Sequence, residues 1–269
     1  MLASVGTGIH ACCPLTMALS IILITKNEAA NIGDCLASVA FADEIIVADS
    51  GSSDDTVRIA SERGAKVFVY EDWPGFGPQK NRVLEHATSE WVFSIDADER
   101  VTPELRAEIE QSMLSGRADG YYCPRLSQFC GTFIRHSGWY PDYVLRLFRR
   151  GAARFSDSLV HESVQLTGIS AKLKNPLLHY SYLTQEDVER KVEHYSDAAA
   201  QQMFQAGKRS GLAGAALSAS WAFVRTYVVR LGVLDGVAGR QIALMNMRTT
   251  WLKYRKLAVL NSGRLKAGL

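Results

Sequence analysis

Residues 1–25 contain no Lys, Arg, Asp or Glu. The missing positive leader, with Pro14 interrupting the run, argues against a secretory signal. Residues 1–17 therefore read as a loose N-terminal extension, with Met17 an alternative start. Elsewhere no apolar stretch continues for the ~18 residues a spanning helix requires. There is no C-x-x-C pair either. The five cysteines (Cys12, Cys13, Cys35, Cys123 and Cys130) are odd in number with two adjacent, which disfavours a zinc site or a disulfide framework and fits a reducing cytoplasm. Internal repeats and low-complexity runs are also missing. Acid is scarce in the last quarter, where residues 203–269 hold 11 Lys and Arg but one acid, Asp235. Residues 1–202 hold 19 basic and 27 acidic residues, so a net −8 body carries a net +10 tail. Such a tail calls for an anionic partner, whether membrane headgroups, a phosphorylated substrate or nucleic acid.

What remains is an ordinary globular composition, 47% apolar and 22% charged over 269 residues. That length suits one large α/β domain with or without a helical appendage. Leu19–Thr25 is short, β-branched and apolar on both faces, as a central parallel strand should be. A polar turn at Lys26-Asn27-Glu28 leads to a helix carrying Ile32, Cys35, Leu36 and Val39. Glu44–Ala48 predicts a second strand and Lys66–Tyr70 a third, with a helix between them through Val57, Ile59 and Ala60. A Pro/Gly loop from Trp73 to Pro78 precedes a helix over Gln79 to about Ala87, and Trp91–Ile95 is the fourth strand.

That alternation predicts a mostly parallel, Rossmann-like nucleotide-binding sheet, whose ligands gather at the carboxyl ends of its strands. Thr25, Asp49 and Asp96 stand at three such ends. Asp96-Ala97-Asp98-Glu99 closes the fourth strand, and Asp96 and Asp98, separated by one small residue, suit a divalent cation that holds nucleotide phosphates. A merely solvated acidic loop is the alternative. Residues 18–205 are taken as this domain and 206–269 as a basic helical region. Within the latter, Leu217, Trp221, Val224, Val228 and Leu231 recur at helical spacing beside Arg225 and Arg230. The stripe suits a helix packed on the domain or one pressed on a membrane.

Ser20 to Glu28, Asp49 to Asp54 and Asp96 to Glu99, in this order, resemble the family 2 glycosyltransferases. The later stretches Gly138-Trp139-Tyr140-Pro141-Asp142, Arg146-Leu147-Phe148, Val160-His161-Glu162 and Arg225 to Gly236 resemble the branch that adds glucose to the heptose of the lipopolysaccharide inner core. The resemblance implies a GT-A fold, a UDP-sugar donor, Mg2+ or Mn2+, and inversion at the anomeric carbon. It places Asp49 on the uracil ring, with Thr25 and Glu28 on the neighbouring loop. Asp96 then serves the ribose and the cation, and Asp98 ligates the cation directly. Many relatives carry a second acid where Ser50 stands.

Inversion needs a general base for the acceptor hydroxyl. Glu162 is the candidate, and Glu99 is its rival, unless Glu99 caps the helix that starts at Pro103. Asp49 has a reading as a helix N-cap, and His161 as a metal ligand or an orienter of Glu162. Lys80 and Arg82 are expected at the donor diphosphate. Arg146, Arg149 and Arg150 are expected at acceptor phosphates, and His136, Trp139 and Tyr140 as an acceptor platform. The expected enzyme is cytoplasmic, peripheral on the anionic inner face of the cytoplasmic membrane. It moves a hexose to a lipid-linked glycan and needs no nucleic acid. Rival readings are transfer to polyprenyl phosphate or another envelope glycan, nucleotidyl transfer, and a non-catalytic sugar-nucleotide sensor.

Overall fold

The computed structural model describes residues 17–156, 164–182, 184–209 and 211–266. Its first half alternates as expected. β1 (Leu19–Thr25), α1 (Ala29–Ser38), β2 (Glu44–Asp49), α2 (Thr56–Glu62), β3 (Lys66–Val69), α3 (Phe76–Glu85) and β4 (Trp91–Ser94) follow one another. β5 (Glu99–Val101) and α4 (Pro103–Ser115) come next, and then strands dominate. These are β6 (Gly120–Phe129), β7 (Thr132–Phe133), β8 (Asp142–Arg149), β9 (Ala153–Phe155), β10 (Val164–Leu166), β11 (Ser170–Lys172) and β12 (Leu177–Tyr182). Three helices finish the chain, α5 (Gln185–Gln205), α6 (Leu212–Val224) and α7 (Gly236–Lys266).

Among the described residues the main sheet runs β3-β2-β1-β4-β8-β6-β12-β5, with β7 and β11 also pairing β6. β1 lies parallel between β2 and β4. Strand β8 is antiparallel to both β4 and β6, and β12 returns parallel to β6. The carboxyl ends of β1, β2, β4, β6 and β12 therefore share one edge. The two-residue period of a strand explains why β1 is apolar throughout. Leu19, Ile21 and Leu23 pack with Ile32, Leu36, Trp91 and Phe93, while Ile22 faces the other way onto Ile46, Val83, Val92 and Phe148. Each fully buried side chain of this kind contributes about 1.5–3 kcal/mol, so this strand anchors both layers.

β5 follows β4 by only a few residues, yet it lies at the far edge of the sheet and pairs with β12 alone. Residues 95–98 must therefore cross the amino end of β8 and the carboxyl ends of β6 and β12, which fill the gap beneath them. This crossing carries both acids.

α5 opens with a full capping box between Thr184 and Asp187, which satisfies two otherwise orphaned backbone donors. Though grouped with the sheet domain on sequence, it packs Val188 and Val192 against Ala238 and Ile242 of α7 and against Phe129 and Ile134. The apolar stripe of α6 does not pack inward. Its small residues do so instead, since Ala215, Ala219, Ala222 and Thr226 are buried, whereas Leu217, Trp221, Val224, Val228 and Leu231 are exposed. After α6 a π turn (Arg225–Val229) and a 3-10 turn (Gly232–Asp235) lead into α7. The carboxylate of Asp235 accepts from the backbone N–H groups of Arg135 and His136 and from Ser137 Oγ at 2.7 Å. Gly232 is required at this junction. A Cβ there would stand 2.7 Å from the Thr226 carbonyl and 2.9 Å from Ser137 Oγ. No helix among the described residues is long and apolar enough to cross a membrane.

Candidate active site

Register places Thr25 opposite Asp49 at the ends of β1 and β2. Asp49 is fully buried and its Oδ2 accepts from Gly51 N (2.9 Å) and Ser52 N (2.7 Å), while Oδ1 accepts from Ser52 Oγ. It thus closes the β2–α2 turn and does not cap α2, where Asp55 holds that position. Thr25 Oγ1 is buried and has no protein partner. The β1–α1 and β2–α2 loops are stitched together, Asn27 N to Ser52 Oγ and Ser53 N to Asn27 Oδ1 at 2.8 Å each, and Glu28 N to Thr56 Oγ1 at 2.8 Å. Asn27 takes a left-handed φ of 55°, a conformation that asparagine tolerates better than most residues. Burial raises the Glu28 pKa, and repulsion from Asp98 and Asp54 adds to it, although Asn31 and Arg100 oppose. Ser50 accepts from the fully buried Gln79 Nε2 at 3.1 Å, so an uncharged pair occupies the place of the second acid.

The acidic crossing is held from three sides. Lys80 Nζ reaches Asp96 Oδ1 at 3.1 Å, and Arg146 Nη2 donates to Asp96 Oδ2 at 2.5 Å and to Glu99 Oε1 at 2.6 Å. Loss of water works against ionising Asp96, but Arg146 and Lys80 outweigh it and hold its carboxyl well below the usual range. Glu99 is fully buried, accepts from Asp96 N at 3.0 Å, and has its pKa raised by burial despite Arg146. It caps no helix. Thr102 caps α4 by accepting from Leu105 N, because the side chain of Glu99 turns inward from β5. Arg100 braces the crossing on α1, donating to the carbonyls of Ala97 and Asn31 at 2.8 Å.

Asp98 meets a residue that sequence reasoning missed. His179 Nε2 of β12 stands 3.2 Å from Asp98 Oδ2, and its Nδ1 is 2.9 Å from Ser127 Oγ. The nearby Tyr180 N donates to the Asp98 carbonyl at 2.8 Å. A carboxylate and an imidazole make a donor pair suited to Mn2+ or Mg2+, with open positions for phosphate oxygens, and Ser127 would fix the ring. Among the described residues no group of three His, Cys, Asp or Glu side chains converges as a cation site. Asp96 is engaged by Lys80 and Arg146, whereas Asp98 pairs with His179.

Lys80 turns inward to the crossing, whereas Arg82 pairs outward with Asp72 at 2.6 Å and lies over the Tyr70 ring. The three arginines expected at acceptor phosphates are elsewhere. Arg146 is internal. Arg149 pairs with Glu90 and covers Trp91, and Arg150 donates to the Ser89 carbonyl, both at the opposite edge of the sheet. Antiparallel β8 runs away from the site, and this carries its last residues there. Glu162 and His161 lie outside the described residues. The strands on either side are paired as β9 and β10, and Asn81 ties Phe155 to α3 by Nδ2 to O (2.9 Å) and N to Oδ1 (3.0 Å).

A cavity of about 490 Å³ opens beside His179, within the ~300–1,000 Å³ of small-ligand sites. Trp139, Arg125 and Lys191 line it, with Asn246 and Thr249 of α7. Trp139 packs edge-on to Phe129 and tilted on Tyr182, so this member of the expected platform is part core and part cavity wall. His136 is drawn instead to Asp235, at 3.2 Å.

Donor-facing strand ends, an acidic crossing and a cavity beyond it make this a transferase site of the GT-A class. The chain belongs to glycosyl transferase family 2, whose family model matches residues 20–169. It is 34% identical over 203 residues to the lipopolysaccharide core biosynthesis glycosyltransferase LpsC of Rhizobium meliloti, covering 71% of this chain and 73% of that protein. It is also 30% identical over 266 residues to a Rickettsia felis protein described as an uncharacterized glycosyltransferase, covering 93% and 91%. Among solved structures, residues 1–349 of S. aureus TarS superpose with a TM-score of 0.48 at 16% identity, covering 89% of this chain and 91% of that one.

Proposed function

We propose that the protein moves a hexose, glucose from UDP-glucose, with inversion onto a lipid-linked glycan, the heptose of a lipopolysaccharide inner core being the acceptor class. The observation that carries this reading is the Asp98–His179 pair, which stands between the nucleotide-type strand ends and the cavity. The printed role of LpsC in lipopolysaccharide core synthesis supports the acceptor class. Thr25, Glu28 and Asp49 bind the nucleoside, and Asp96, kept anionic by Arg146 and Lys80, accepts from the ribose. Asp98 and His179 would hold Mg2+ or Mn2+, which neutralises the charge growing on the leaving UDP.

The acceptor hydroxyl attacks the anomeric carbon from the cavity side, the bond from that carbon to the UDP oxygen breaks, and Glu162 takes the hydroxyl proton. Glu99, sealed beneath Arg146, cannot reach that proton. The exposed apolar turn from Trp221 to Val237, flanked by Arg225, Arg230 and Arg240, lets the enzyme rest on an anionic membrane.

The test is metal-dependent UDP release from UDP-glucose with and without truncated core lipid. Acceptor-stimulated release supports the reading, and pyrophosphate release would replace it with nucleotidyl transfer. Glu162→Gln should abolish transfer while UDP-glucose still binds. Unimpaired turnover would remove Glu162 from the mechanism.

A further inference from the structure

The cavity beside His179 holds more positive charge than a neutral sugar needs. Arg125 is neutralised by Asp142, to which it donates from Nε at 3.0 Å and Nη2 at 2.6 Å. Lys191 is different. It projects from α5, lies 4.1 Å from the Tyr182 ring centroid, and donates to the Ser181 carbonyl at 2.5 Å. An ammonium has three donors, and among the described residues no carboxylate lies within ion-pair distance of this one. Other half-buried or exposed cations of the helices do find acids, such as Lys256 with Glu193 and Asp197 and Arg248 with Glu189. Burial lowers the Lys191 pKa, and the distant Asp98 and Asp187 only partly oppose it. Holding such a charge half-buried without a counter-ion costs stability, a cost that an incoming anion reverses. Asn246 and Thr249, across the cavity on α7, and the face of Trp139 supply the neutral contacts that a sugar ring requires.

We propose that Lys191 reads an anionic group, a phosphate or a carboxylate, carried by the acceptor sugar in this cavity. The inference rests on the cavity being the acceptor site. It makes an acidic or phosphorylated sugar the substrate class and a neutral glycan a poor one.

The experiment is calorimetric titration of the full chain, saturated with UDP and Mn2+, using mannose 6-phosphate, glucuronate and mannose as probes. A charge-assisted bond is worth about a tenfold preference or more, so at least one anionic probe should bind about tenfold tighter than mannose. The two anionic probes decide between phosphate and carboxylate. Lys191→Met, which keeps the stem on Tyr182, should erase the preference, leave UDP affinity unchanged and not lower the melting temperature. Lys191→Arg should retain it. Equal affinity for all three probes, or a preference that survives Lys191→Met, would overturn the assignment. Loss of phosphatidylglycerol vesicle binding in Lys191→Met, with sugar binding intact, would also overturn it, because the anion would then be a lipid headgroup. If wild-type protein fails to bind UDP, the donor reading falls. The probe comparison, repeated without nucleotide, still decides this one.

Discussion

Replacing Arg146 by Met should reveal how the acidic crossing is held. Arg146 is 6% exposed and its Nη2 serves Asp96 and Glu99 at once. Methionine keeps the buried stem and removes the charge. Breaking a buried pair by removing one partner costs about 3–5 kcal/mol. Lys80 still serves Asp96, and Arg125 stands 3.8 Å from Glu99, so about 3 kcal/mol is expected. Against a total stability of about 5–15 kcal/mol, the urea midpoint should fall by about 1 M or more.

The pH dependence is the sharper readout. Burial already raises Glu99 above its ordinary 4.5, and without Arg146 it rises further. The folded variant then keeps a proton that the unfolded chain releases. Its stability is therefore full below pH ~4.5 and falls as pH rises through the folded pKa, by up to about 1.4 kcal/mol per unit. Asp96 works in the opposite sense in the wild type. Its depressed pKa lends stability above its ordinary 3.8 that is lost on acidification. Arg146→Met should therefore be more stable at pH 5 than at pH 8, and the double variant with Glu99→Gln should recover about 1–3 kcal/mol. A wild-type urea midpoint with no such inversion would refute this account of the crossing.

Ser127→Ala removes the partner that orients His179, so the Mn2+ needed for half-maximal UDP binding should rise about tenfold; an unchanged requirement would take His179 out of the cation site. Glu44 is buried, but hydrogen bonds from Ser20, Thr88 and Lys66 outweigh that and bring its pKa down to about 2. Its stabilisation, about 3 kcal/mol, is present above its ordinary 4.5 and lost as pH falls toward about 2. Glu44→Gln should accordingly lower the urea midpoint at pH 7 and hardly at all near pH 2, and an equal loss at both would contradict this. The triple variant Trp221→Ser, Val228→Ser, Leu234→Ser removes side chains worth about 1.5–3 kcal/mol each on full burial. It should cut sedimentation with anionic liposomes tenfold or more, and full retention would exclude this turn as the membrane contact.

The strand ends of the candidate site were legible because their determinants are local. Short β-branched runs give parallel strands, and the residue after each run falls at the binding edge, as Thr25 and Asp49 do. The cavity beyond them was not. His179 and Asp98 are 81 positions apart and Lys191 reaches the cavity from a helix, so no motif spacing joins them. Glu99 was misread as a cap because α4 does start at Pro103, but Thr102 caps it while β5 turns the Glu99 carboxylate inward. In α6 the helical period left open whether the stripe packs on the domain or faces outward, because spacing alone does not say which face is buried. Alanines allow α6 to approach α7 closely, and this leaves the larger apolar residues outside.

The position of β5 also orders the events of assembly. During synthesis, residues 95–98 emerge before β6, β8 and β12, so the acids span a gap with no strand beneath it. The parallel strands β1 to β4 make short-range contacts and can close early. Asp98 gains His179 only when β12 is inserted, and such long loop closures are slow. The Asp98–His179 corner is thus the last part of the sheet to be set, and a chain interrupted before residue 177 would keep β1 to β4 while leaving β5 an unpaired edge.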